Sequence, residues 1–328
     1  MKVAVYSFYD FEKEYLVRAN AGKHDLVFIP QPLRLENARL SMDCSAVAAF
    51  VTDDLGTEVL QELAMHGVKY ICLRSAGYNH RNISTAKRLG IIAARVPSYS
   101  PNSVAEHAVT LMMALNRKIV KANAATHRLD FSLDGLVGFD MKDKTVGIIG
   151  MGKIGGVLAA ILHGFGCTIL ACDKIRNPEM ISRYGVKYCS LQELCRASDI
   201  ISLHVPLDLE TESMISKKLI AQMKRGVMLI NTGRGKLVNT QDIIATLKTG
   251  QIGSFGMDVY ADESLFFEDH SGEILKDDLL ARLMMFDNVI ITGHQAFLTH
   301  EALTNIAATT IDNLDCFEIG RHCDNLIT

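Results

Sequence analysis

The sequence predicts an α/β protein built from parallel sheets covered by helices. Short apolar strands alternate with helical stretches along nearly the whole chain, in two series that separate near residue 100. A length of 328 residues favours two domains over one, and two domains imply a cleft.

The first series runs "VAVYSF", "HDLVFI", "AVAAFV", "VKYICLRS" and "IIAARV". In "PSYSPNSVAEHAVTLMMALNR", Pro101 precedes a capping box of Ser103 and Glu106. Apolar Val104, Ala108, Leu111, Met112 and Leu115 then follow at helical spacing, so a strong helix begins there. The second series, "KTVGIIG", "TILACD", "DIISLHV", "GVMLIN", "SFGMDVY" and "NVIITG", alternates with helical segments as a doubly wound nucleotide-binding domain would. After it, Leu303, Ile306, Ala307, Ile311 and Leu314 mark one more amphipathic helix, whose domain the periodicity leaves open.

Composition narrows the partners. With 48% hydrophobic and 22% charged residues and a net charge of −3, the chain has no field that would gather nucleic acid or an anionic membrane. Cysteines scattered singly, such as Cys44, Cys72 and Cys316, suit reduced thiols and a cytoplasmic location. The opening "MKVAVYSFYD" reaches acidic residues too early for a secretory signal, so no export is expected. Uncharged "IGGVLAAILHGFGCTILAC", Ile154 to Cys172, is interrupted by glycines and His163. It reads as a helix ending near Gly164 or Gly166 followed by a strand, not as a membrane span.

"VGIIGMGKIGG" supplies Gly150, Gly152 and Gly155 as G-x-G-x-x-G between an apolar strand and an apolar helix. The first glycine permits the tight turn, the second lets a pyrophosphate approach, and the third lets helix and strand pack closely. Lys153 and Ile154 would offer helix N-terminal N–H groups to the phosphates. At the end of the next strand, Asp173 stands where a carboxylate accepts from a ribose 2′-hydroxyl and repels a 2′-phosphate. This predicts NAD rather than NADP, with Lys174 and Arg176 as partly offsetting cations.

Three later residues combine charge with strand ends: Arg234 in "LINTGRGKLV", Glu263 in "GMDVYADES", and His294 in "NVIITGHQAF". Singly, each has a bland reading as a turn, solvated or structural residue. Together they suit one reaction, hydride transfer to a carbonyl, which needs a proton donor and stabilisation of oxygen charge. A histidine exchanges protons near neutrality, a neighbouring carboxylate should raise its pKa and fix its tautomer, and an arginine can hold a substrate carboxylate bidentately.

The ordered set "GMGKIG", Asp173, "HVP", "NTGRG", "GMDVY", Glu263 and "GHQAF" resembles the D-isomer-specific 2-hydroxyacid dehydrogenase family over nearly the whole chain. "DVYADESLFFEDHSGEIL" and "GHQAFLTHEA" resemble its fermentative D-lactate branch in particular. The resemblance implies two doubly wound parallel-sheet domains: a Rossmann NAD-binding domain over 101–296, and a flavodoxin-like substrate domain formed by 1–100 and 297–328, which takes the last helix. It implies that Arg234 orients the 2-oxo acid, that His294 is the acid/base, and that Glu263 pairs with His294. Ala76 and Gly77 of "RSAGYNH" would hold the substrate carboxylate through backbone N–H groups, and Tyr99 would reach the substrate. Val205, Pro206, Thr232, Gly233 and Asp258 would line the cofactor path, with Asp258 near the carboxamide.

The leading expectation is reversible, NAD-dependent reduction of pyruvate to D-lactate, with Tyr99, Phe297 and Leu298 as candidates for the methyl pocket. The alternatives are a relative acting on bulkier 2-oxo acids and a non-catalytic NAD(H)-sensing corepressor-like protein. Zinc chemistry is disfavoured, because the cysteines and histidines show no closed set of ligand spacings. Domain closure around the cofactor and a homodimer, possibly doubled to a tetramer, complete the expectations.

Overall fold

The computed structural model describes residues 1–78, 82–267 and 269–327, so Asn79 and His80 of "RSAGYNH" and Glu268 of "FFED" lie outside the described residues. The chain divides into two compact units, Met1–Ser100 with Leu298–Thr328, and Pro101–Phe297. Phe297 therefore groups with the second unit.

The first unit holds five parallel strands, β1 (Lys2–Val5), β2 (Asp25–Phe28), β3 (Ala46–Ala49), β4 (Tyr70–Leu73) and β5 (Ile92–Arg95), in the order β2-β1-β3-β4-β5. Central β3 is buried along its whole length while edge β2 is only partly covered, as expected of a parallel sheet with helices on both faces. One face packs on the helix His300–Ile319, whose Ile311, Leu314 and Phe317 join Val3, Leu16 and Cys72 in one cluster. The other face packs Val47, Ile71 and Ala93 with Val59, Leu60 and Leu63 of the helix Thr57–Met65.

An arginine closes the top of this sheet. Arg74, with 2% of its surface exposed, follows β4 and is fully paired. Its Nε and Nη2 donate to Glu12 at 3.1 and 3.0 Å, Nη1 to the Ala48 carbonyl at 2.6 Å, and Nη2 to the carbonyls of Tyr6 and Ser7 at 2.8 and 2.9 Å. A buried charge is tolerated only when paired and hydrogen-bonded in this way, and removing Glu12 alone would strand it.

The second unit holds seven parallel strands: β6 (Thr145–Ile149), β7 (Thr168–Cys172), β8 (Lys187–Tyr188), β9 (Ile200–Leu203), β10 (Val227–Asn231), β11 (Ile252–Met257) and β12 (Val289–Ile291). Their order is β12-β11-β10-β9-β6-β7-β8, so the winding reverses between β6 and β9. A reversal of this kind leaves a crevice at the strand C-termini, where nucleotides bind in such sheets. Strands β9 and β10 are buried throughout, and two apolar clusters fill the opposite faces.

One strand is unexpected, one local expectation changes and one is met. Strand β8 is two residues long and half polar, too short for periodicity to reveal. The helix after residue 100 begins at Pro101, so Ser103 lies inside it and is buried instead of capping it. Proline needs no N–H partner and has a helical φ, which makes it a natural first helical residue. The uncharged segment resolves into the helix Lys153–Gly164, Gly166 at φ +75°, and β7. Among the described residues no helix is long and apolar enough to cross a membrane.

Candidate active site

Six strand ends of the second unit carry the residues singled out by the sequence. After β6, Gly150 adopts φ +95°, and a Cβ there would lie 2.5 Å from the His204 carbonyl oxygen. Gly155 lies so close to the Gly150 carbonyl that a Cβ would sit 2.1 Å from its oxygen. A Cβ on Gly152 would instead meet nothing within 4 Å, so this glycine opens onto free space where the helix Lys153–Gly164 begins. That opening fits a phosphate group approaching unbonded N–H donors at the positive end of a helix. Asp173, just past β7, binds the same loop. Its Oδ2 accepts from the Met151 N–H at 2.5 Å and its Oδ1 from the Ile175 N–H at 2.9 Å. Exposed Lys174 is engaged with Glu210 at 2.6 Å.

After β9 come His204, Val205 and Pro206, of which Val205 is half-buried and Pro206 exposed. His204 Nε2 shares a hydrogen bond with Ser202 at 2.8 Å, its Nδ1 is buried without a partner, and burial pushes its pKa down to about 4. At the end of β10, the fully buried Asn231 shapes the next turn, accepting from the Gly233 N–H at 3.1 Å and donating to the Arg234 carbonyl at 2.9 Å. The Thr232 hydroxyl is buried without a hydrogen-bond partner, and such an orphan needs an explanation. Together with the open space at Gly152, it fits a bound dinucleotide running past these strand ends.

Arg234 donates from Nη1 to the Gly233 carbonyl at 2.7 Å, and its side chain is partly exposed. The residue after it must be glycine, because a Cβ on Gly235 would lie 1.9 Å from the Tyr260 carbonyl carbon. The Arg234 turn is thereby pressed against the segment leading from β11 to Glu263, which starts a short 3₁₀ turn ending at Leu265.

His294 follows β12 in a conformation that side chains rarely adopt, with φ +56° and its N–H bonded to the Thr292 carbonyl at 3.0 Å across Gly293. A non-glycine residue held there stores roughly 1–3 kcal/mol of strain. Asp258 offsets it. Its carboxylate, fully buried past the end of β11, accepts from the Thr292 hydroxyl at 2.5 Å, the Gln295 N–H at 2.8 Å and the Ala296 N–H at 2.8 Å. The residue that the resemblance put beside the carboxamide thus anchors the His294 turn. The His294 ring lies 5.1 Å from the Phe267 ring and edge-on to Phe297 at 6.4 Å.

Charge converges on this ring. Burial pushes the His294 pKa below its ordinary value, Glu263 and Asp258 pull it up, and Arg234 pushes it down. The expectation of a raised pKa is therefore reversed, since desolvation outweighs the two carboxylates. The expected Glu263–His294 pair acts through the electrostatic field and not through a hydrogen bond, because His294 Nδ1 is buried without a partner. Hydrogen bonds between catalytic groups are often unformed until substrate binds.

Of the substrate candidates in the first unit, Ala76 and Gly77 sit on a turn after β4 and Tyr99 follows β5. Arg95 braces the turn, donating to the Ala76 carbonyl at 2.7 Å and stacking over the Tyr78 ring at 4.9 Å, while Ser75 donates to the Gly77 carbonyl at 2.9 Å. The Tyr99 carbonyl accepts from Asn305 at 2.6 Å. Sequence reasoning missed four residues that shape these sites: Arg74, Arg95, His107 and Thr292. Arg74 could have been found, since a cation inside the apolar run "YICLRS" needs a buried partner.

Comparison with known proteins settles the family. The family model described as D-isomer specific 2-hydroxyacid dehydrogenase, NAD binding domain, matches residues 109–296. The chain belongs to the D-isomer-specific 2-hydroxyacid dehydrogenase family. It is 47% identical to the D-lactate dehydrogenase of Escherichia coli K12 over 99% of both chains. The apo structure of D-lactate dehydrogenase from Escherichia coli superposes with a TM-score of 0.92 at 45% identity, covering all of both chains. The D-lactate dehydrogenase of Lactobacillus jensenii, solved with NAD+, gives 0.83 at 34% identity, again over all of both chains. This 2-hydroxyacid dehydrogenase is therefore an oxidoreductase with an NAD-binding domain, and NAD is its cofactor.

Proposed function

We propose that this dehydrogenase interconverts pyruvate and D-lactate, with His294 exchanging the proton. The observation that carries the reading is the convergence of Arg234, Glu263 and Asp258 on one half-buried, strained histidine. When bound, NADH supplies the hydride. Arg234 orients the 2-oxo acid and draws charge onto its carbonyl oxygen. His294 passes its proton from Nε2 to that oxygen, while Glu263 accepts a hydrogen bond from the Nδ1–H, which stays on the ring, and fixes the tautomer. The backbone N–H groups of Ala76 and Gly77 hold the substrate carboxylate, and Tyr99 and Phe297 confine the methyl group. Gly150, Gly152, Lys153, Ile154 and Gly155 cradle the pyrophosphate, Asp173 the ribose, and Val205, Pro206, Thr232 and Gly233 the path toward the nicotinamide.

Two broader features belong to the same reading. Exposed Leu129, Phe131, Leu133 and Val137 form an apolar run in the cofactor domain and support a homodimer through that domain. Eight unpaired cysteines support a reducing, cytoplasmic setting.

The deciding experiment is NADH oxidation with pyruvate by the wild type and a His294→Ala variant, with chiral analysis of the product. D-lactate from the wild type and a loss of at least roughly a hundredfold in the variant is the expected result. Absence of turnover with every 2-oxo acid, despite NADH binding, would reject the reading.

A further inference from the structure

His107 lies on the helix Pro101–Asn116, outside every motif that marks the site, yet its ring reaches the anchor of the His294 turn. Its Nε2 is 3.0 Å from the Thr292 hydroxyl oxygen and 3.4 Å from Asp258 Oδ1. The Thr292 hydroxyl has a single hydrogen, which it donates to Asp258, and a carboxylate can only accept. Thr292 must therefore accept from His107, which places a hydrogen on His107 Nε2. A directed chain results, from His107 Nε2–H to the Thr292 hydroxyl to Asp258, and Asp258 in turn binds the N–H groups of Gln295 and Ala296 on the far side of His294.

We propose that His107 is a positioning residue for the reaction, holding Thr292 and Asp258 in the geometry that keeps His294 in its strained, half-buried conformation. The proposal rests on the reading of His294 as the proton-exchanging group. Backbone geometry explains why a distant donor matters. Residues 292–296 relax toward an ordinary conformation once Asp258 is free to rotate, and His294 then moves off its line. A misplacement of about 1 Å costs on the order of a hundredfold in rate. The charged groups acting on His294 are Glu263 from the turn after β11, Asp258 from the end of β11 and Arg234 from the turn after β10. Burial outweighs them all, so a loosened turn returns the ring toward water and its pKa toward the ordinary histidine value.

The test uses the full-length enzyme with NADH. His107→Leu removes the donor, and His107→Gln restores an amide N–H able to reach Thr292. In His107→Leu, kcat for pyruvate falls roughly ten- to hundredfold, the NADH dissociation constant is unchanged, and the pH limb of kcat moves upward. His107→Gln recovers most of the rate and the original limb. Amide hydrogen exchange at Gln295 and Ala296 accelerates in His107→Leu and not in His107→Gln. Should His107→Leu fail to fold, Thr292→Val, which removes only the hydroxyl, carries the same readouts. Unchanged kcat, an unmoved pH limb, or identical exchange at Gln295 and Ala296 overturns the positioning role. Retained turnover in His294→Ala overturns instead the reading beneath it, and the exchange rates alone then decide whether His107 holds the turn.

Discussion

Asp258 accepts the backbone N–H of Ala296 at 2.8 Å, and this bond closes the turn on which His294 is held at φ +56°. Both carboxylate oxygens are used, Oδ1 by Thr292 and Gln295 and Oδ2 by Ala296. Asp258→Asn keeps one acceptor and turns the other into a donor facing a donor. Denaturant titration should show a loss of about 1–3 kcal/mol of stability, the cost of an unsatisfied buried group. A fall in kcat larger than the change in NADH affinity should accompany it.

On the proposed reading, the protonated form of His294 is the acid in the reductive direction. Its pKa is lowered by burial, so pyruvate reduction should decline with rising pH at a limb below the ordinary histidine value near about 6.5. Glu263 is the stronger of the two upward influences, so Glu263→Gln should move that limb further down. A profile of kcat/KM against pH in both proteins checks the direction, and an upward move would place Glu263 elsewhere in the mechanism.

His204 links pH to stability. Its folded pKa of about 4 lies below the unfolded value near about 6.5, so within that window the unfolded chain binds the extra proton. Its contribution is fully present above about 6.5 and is lost as the pH falls toward the folded value. At pH 5 the loss is about 2 kcal/mol, from about 1.4 kcal/mol per pH unit below the unfolded pKa. Urea midpoints of wild type and His204→Gln, compared at pH 7.5 and 5, should show the weaker acid sensitivity in the variant.

Gly235→Ala tests the contact between the two loops that carry Arg234 and Glu263. The added carbon would lie 1.9 Å from one backbone atom and 2.0 Å from the next, with no flexible side chain to yield. Overpacking of this kind costs about 1–3 kcal/mol, and the displaced Arg234 should raise the KM for pyruvate. A melting temperature and kcat/KM both equal to wild type would show that the loops separate freely.

The parts of the fold readable in the sequence were those written in period and punctuation. Long apolar runs such as "GVMLIN" became fully buried strands, and Gly150 and Gly155 sit where only glycine fits. The two-residue β8 carried no period to read. At the site, Arg234, Glu263 and His294 could be picked out because each follows a strand, but their mutual energetics could not. Desolvation of His294 depends on Phe267 and Phe297 packing near its ring, and the backbone strain depends on Asp258, 36 residues earlier. His107 and Thr292 stayed hidden because a histidine within an amphipathic helix and a threonine ending a strand have no local signature.

The division of the first unit between Met1–Ser100 and Leu298–Thr328 sets a timetable for synthesis. Its sheet is finished early, yet the apolar face formed by Val3, Val5, Ala46 and Cys72 stays without the helix His300–Ile319 until about 200 further residues have been made. At roughly 5–20 residues per second, that face waits about 10–40 s for its cover. The intervening unit meanwhile has all of its own strands and can fold first. A nascent chain stalled near residue 297 should therefore present a finished cofactor domain beside an uncovered sheet, the state in which chaperone binding or aggregation would compete with completion.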